Sequence, residues 1–148
     1  MVDVTWNFNV IDYAVLIGIV AILLVAGVAK YFSIKNESLD GIDRKFYKER
    51  WKSIQDLMSY GKEMNYKLAV IEADKLLDQA LKDLHFSGET MAERLKLASY
   101  KFPNLKKVWW AHKVRNLIVH DVRYQLKFNE AKKVVSLFHN SLTLLKII

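Results

Sequence analysis

Residues 108–120 read VWWAHKVRNLIVH, the densest run of side chains able to do chemistry in the chain. Placed on a helix at 100° per residue, Trp110, Ala111, Val114, Leu117 and Ile118 fall on one side, an ordinary core face. His112, Arg115, Asn116 and His120 fall on the other. His112, Asn116 and His120 stand at i, i+4 and i+8 and form one row, with Arg115 beside it. A histidine titrates near neutrality and can give or take a proton. An arginine grips a phosphate with a planar fork and offsets developing negative charge. Together these residue types suit a phosphodiester. A plainer assignment also stands: His120 interacts favourably with the helix C-terminus, and Arg115 forms an ion pair with Asp121 or Glu130. Trp109 and Val119 are apolar residues inside the polar face. That mixture fits a surface covered by a second subunit.

A histidine pair does not make a metal site here. His112 and His120 are two helical turns apart, about 12 Å along the axis, too far to share an ion within one chain. Cysteine is absent, which excludes disulfides, thiol nucleophiles and Cys-type zinc sites. No metal and no cofactor are therefore expected. His85 and His139 have no partner at useful spacing. Glu72 and Asp74, on a neighbouring helical stretch, are the carboxylates able to reach Arg115 or to remain solvated.

The elements that must hold this row are all helical. Phe46, Tyr47, Trp51, Ile54, Leu57 and Met58 recur at helical spacing and end near Gly61. A second stripe runs from Leu68 through Ile71, Ala73, Leu76, Leu77, Ala80 and Leu81 to Leu84, ending before Gly88. Thr90 and Glu93 have the spacing of a capping box and start a short helix to about Tyr100. Pro103-Asn104 breaks the chain before the helix that carries the row, which is expected from Leu105 to His120 or Asp121. Residues 122–127 read as irregular or extended, and a last helix follows from Phe128 or Asn129 to Lys146. Trp51 and Trp110 are expected in the core. One proline and five glycines in 148 residues argue against a turn-rich β-sandwich. A hydrophobic fraction of 52% excludes a disordered chain. The fold class is all-α: four long helices and one short one in a bundle, behind a single N-terminal segment of a different kind.

That segment is set apart by charge. Residues 1–29 contain no Lys or Arg, and the remaining chain carries all 23. Residues 13–29, YAVLIGIVAILLVAGVA, have no charge. As a helix they span about 25 Å, near the lower limit of a bilayer core. Lys30 can snorkel, and Trp6, Tyr13, Tyr31 and Phe32 suit the interfaces. A cleaved signal peptide lacks its usual basic start here, and a core helix would show a polar edge. The expected organisation is an N-terminal segment and transmembrane anchor over 1–32, a linker over 33–43 and a helical domain over 44–148. Lys30, Lys35, Arg44, Lys45 and Lys48 all follow the span, so the positive-inside rule puts the N-terminus outside and the domain in the cytoplasm at the cell membrane. Arg44, Lys45, Lys48, Arg50 and Lys52 attract anionic lipid or RNA phosphate, or form a solvated face.

With the helical context in place, residues 115–120 (RNLIVH) resemble the R-x4-6-H motif of HEPN-domain proteins, including an Asn directly after the Arg. The resemblance covers roughly residues 44–146. It implies a metal-independent endoribonuclease acting as a homodimer in which two motifs meet. Arg115 would hold the scissile phosphate, His120 would move the proton and Asn116 would orient it, with His112, Glu72, Asp74 and Tyr124 as supporting or RNA-binding groups. Trp109 and Val119 would lie in the dimer interface. Toxin-type members carry a tyrosine two residues after the histidine; here that position is Val122, and Tyr124 is the nearest. Other members bind RNA or nucleotides without cutting, or only dimerise. The expectation from a different class is accordingly a scaffold module that meets another membrane-associated protein.

Overall fold

The computed structural model describes residues 10–36 and 41–148. It divides at Asp40/Gly41 into two compact units. All regular elements among the described residues are helical.

The first unit contains α1, Val10–Asn36, 27 residues and about 40 Å long. It runs four residues past the expected boundary at residue 32, because Ser33, Ile34, Lys35 and Asn36 are compatible with a helix and no breaker precedes Gly41. Its described side chains over 15–30 are all exposed. Among the described residues no helix is long and apolar enough to cross a membrane; those consecutive side chains number sixteen. Trp6 and the side chains of Tyr31 and Phe32 lie outside the described residues.

The second unit is built on α3. Helix α2, Arg44–Ser59, starts where the Asp43 carboxylate accepts the Phe46 N–H at 3.0 Å. Its inward stripe is Tyr47, Trp51 and Ile54, whereas Phe46 remains 42% exposed. Helix α3, Glu63–Asp83, presents Ala69, Val70, Ala73, Leu76, Leu77, Ala80 and Leu81 to the interior. The alanines let neighbouring backbones approach, and α2 and α6 both pack on this helix. Helix α3 closes through His85, held at φ +60°, with Phe86 N–H donating to Leu81 O at 3.0 Å, as in a left-handed cap.

Helix α4, Met91–Lys101, opens with the capping box read from Thr90 and Glu93: each side chain bonds the other residue's backbone N–H. Pro103–Lys107 form a 3-10 helix, a turn tighter than the expected α-helical start, and α5 follows as Val108–His120. Val108, Ala111 and Val114 are its buried face. Trp110 sits at the edge of that face, not in the core: it is 37% exposed and Lys133 Nζ lies 4.8 Å from its ring centre. Residues 121–127 are irregular, with Leu126 buried and its N–H donating to Glu63 Oε1 at 3.1 Å. Helix α6, Phe128–Leu144, buries Val134, Phe138 and Leu142 against α3 and α5. The result is an all-α bundle in which α3 and α5 stand side by side and the start of α4 closes one end.

Candidate functional site

A cleft of about 400 Å³ lies where α3, α5 and the start of α4 meet. Asp74 is its anchor, and only 3% of this residue is exposed. One carboxylate oxygen lies 2.7 Å from His112 Nδ1. The other lies 3.3 Å from Arg115 Nε. The distance makes an ion pair, but the Nε–H is not aimed at the oxygen, so this buried donor makes no hydrogen bond. Charge proximity therefore holds Arg115 here, rather than a well-formed fork. Arg115 also donates from Nη1 to the Asn116 side-chain oxygen at 3.1 Å.

An ionised carboxylate only accepts hydrogen bonds. In a neutral His112, an ionised Asp74 thus favours the tautomer with its proton on Nδ1, which leaves the Nε2 lone pair free. Nε2 has no partner among the described residues. His112, Arg115 and Asn116 all line the cleft. The arrangement supplies a proton acceptor, an adjacent guanidinium with unused N–H donors and a side-chain amide.

The opposite wall rests on a second pair, buried Arg94 and half-buried Asp78. Arg94 is 5% exposed and its Nε donates to Asp78 Oδ1 at 2.7 Å. Its Nη1 donates to Gly88 O, and Lys82 Nζ meets Asp78 Oδ2 at 2.9 Å. Burial alone would raise the Asp78 pKa; the hydrogen bonds and charges of Arg94 and Lys82 outweigh it and hold the carboxyl below its ordinary value. Sequence reasoning missed Asp78, Arg94 and Gly88. Asp74 and Asp78 stand at i and i+4, one face of α3, which was the available signal.

Several expected site residues lie elsewhere. Glu72 cannot serve Arg115: it bonds Arg50 Nη2 at 3.1 Å and Lys75 Nζ at 3.0 Å, since two residues of helix rotate it away from Asp74. It belongs to a larger cleft, about 620 Å³, between α2 and α3. That cleft contains no histidine, and Arg50 and Lys75 there both pair with Glu72. Tyr124 donates to Glu130 at 2.7 Å, and burial followed by that carboxylate pushes its pKa up to about 12. Neither residue lines the cleft. Glu130 and Asp121 are thus not the partners of Arg115; Asp121 instead accepts the Arg123 N–H at 2.9 Å. His120 is exposed at the last position of α5 and is not part of the cleft wall. Trp109 and Val119 are 38% and 48% exposed. Among the described residues no group of His, Cys, Asp and Glu is arranged to hold a metal ion.

Comparison of the chain with family models, curated proteins and solved structures finds no match.

Proposed function

We propose that the helical unit binds RNA at the α3–α5 cleft and cleaves it without a metal, the reaction class the HEPN resemblance implies, while α1 tethers it to the cytoplasmic side of the cell membrane. One observation carries the chemistry: a single buried carboxylate, Asp74, holds both His112 and Arg115 at the cleft. In this scheme Nε2 of His112 takes the proton from a ribose 2′-hydroxyl as that oxygen attacks the adjacent phosphorus. Arg115 and Asn116 hold the non-bridging oxygens. The 5′-oxygen leaves, taking a proton from solvent or from a protonated histidine, and a 2′,3′-cyclic phosphate remains. Proton transfer is thereby assigned to His112 in one chain, in place of His120.

The tether is supported by the 27-residue length of α1, by the absence of charge over 13–29 and by the exposure of its described apolar side chains. The test of the chemistry is incubation of the full chain in detergent with RNA and EDTA, followed by analysis of the ends. Cyclic phosphate ends are expected; linear 3′-phosphate as the first product, or no cutting, would remove the scheme. A second function is favoured by the half-exposed Trp109 and Val119: α5 as a homodimer face in a scaffold. Sedimentation of Val119→Asp against wild type tests it, with a shift from dimer to monomer expected on that alternative.

A further inference from the structure

Outside the cleft, α5 and the turn before it carry a second regularity. Lys106, Trp109, Lys113 and Asn116 recur at intervals of three, four and three residues, so they lie along one line of the helix surface. Lys106, Trp109 and Lys113 are exposed, and Asn116 is half-buried where the line enters the cleft. Neither lysine has an acidic partner among the described residues, in contrast to Lys67, Lys75 and Lys82, which are all paired. Trp109 makes no ring contact there either, whereas its neighbour Trp110 is occupied by Lys133. A large aromatic face and two unpaired cations have thus been left open on the approach to a phosphate-competent site.

We propose that this line is a track for single-stranded RNA, with an unpaired base stacked on Trp109 and the flanking phosphates on Lys106 and Lys113. The inference rests on the RNA reading of the cleft and specifies its substrate class. Aromatic stacking accepts any base, and lysines at helical spacing follow a backbone without reading sequence. A duplex keeps its bases stacked on one another and offers Trp109 no face. The track therefore selects unpaired segments, and Asn116 hands the strand from the helix surface to Arg115 and His112. A second copy of the chain would bury Trp109 too, but a symmetric interface there would gather four lysines that have no acidic partner among the described residues. A polyanion matches the charge.

The experiment is fluorescence anisotropy with the full chain in detergent and a short fluorescein-labelled 2′-O-methyl oligouridylate, which lacks the free 2′-hydroxyl and is not cut. Trp109→Ala should weaken binding roughly five- to 140-fold, the span of one lost base stack. Trp109→Phe should restore most of it. Replacing Lys106 and Lys113 by Gln should lower the slope of log affinity against log salt by about 1.4, since each single-strand phosphate contact contributes roughly 0.7. A hairpin duplex of the same length should bind more weakly than the single strand. Wild-type binding that Trp109→Ala leaves unchanged would remove the track and spare the cleft. A wild-type chain that binds no RNA would remove both. A dimer that Trp109→Ala dissociates would reassign the face to a second copy and overturn the proposal.

Discussion

Replacing Gly88 by Ala should damage the fold and the site together, and the size follows from local geometry. Gly88 sits at φ +142°, a region that side chains rarely enter. A Cβ built there lies 2.8 Å from Glu93 Cβ and 3.0 Å from Arg94 N. Neither atom can retreat. Glu93 is locked in the capping box with Thr90, and Arg94 N–H donates to Thr90 O at 3.2 Å in the first turn of α4. The loop must move instead, drawing Gly88 O away from the buried Arg94 guanidinium that it accepts from. The backbone conformation costs about 1–3 kcal/mol, and a buried donor deprived of its acceptor about another 1–3. A total of about 2–6 kcal/mol is a large share of a typical 5–15. For a unit of about one hundred residues it corresponds to a fall in Tm on the order of 10–25 °C. Gly41 provides the internal comparison: it has φ +101°, but an added Cβ meets nothing within 4 Å. Thermal melts by circular dichroism should rank Gly88→Ala well below Gly41→Ala. Equal melting temperatures for the two variants would refute the steric argument and the wall it describes.

Acid sensitivity follows from Asp78. Its folded pKa is depressed, so its contribution to stability is complete above the ordinary carboxylate value of 3.8 and is lost as pH falls through the lower folded value. Asp78→Asn should therefore lower stability at neutral pH and flatten the acid limb of a pH titration of Tm; parallel limbs for variant and wild type would contradict the Arg94–Asp78 account. For topology, Ser53 is exposed on α2, and Ser53→Cys should resist a membrane-impermeant maleimide in intact cells. Labelling without permeabilisation would reverse the orientation.

The helices were legible because their signals are local. The capping residues Thr90 and Glu93, the apolar stripe of α3 and the break at Pro103 each act within a few positions. The edges of faces were less legible. Helical spacing puts Trp110 on the core face, yet α5 turns its Ala111 and Val114 side to the bundle and leaves Trp110 to Lys133. The site was half legible. Its α5 residues share one helix, and their spacing displays them. Choosing between Glu72 and Asp74 required the rotation of α3 relative to α5, a tertiary quantity that no spacing on α3 alone contains. The Gly88–Arg94–Asp78 wall joins a loop and two helices through buried charge, and a sequence shows no such closure.

Cleavage rates of His112→Ala and His120→Ala, measured side by side on single-stranded RNA in EDTA, test the central claim most directly. Asp74 orients His112 at 2.7 Å beside Arg115, whereas His120 stands exposed beyond the cleft. Loss of the proton-transfer group should reduce the rate about 10²–10⁴-fold in His112→Ala, with a much smaller loss in His120→Ala. The opposite ranking, with His120 indispensable and His112 replaceable, would contradict the assignment of the chemistry to the Asp74-held cleft.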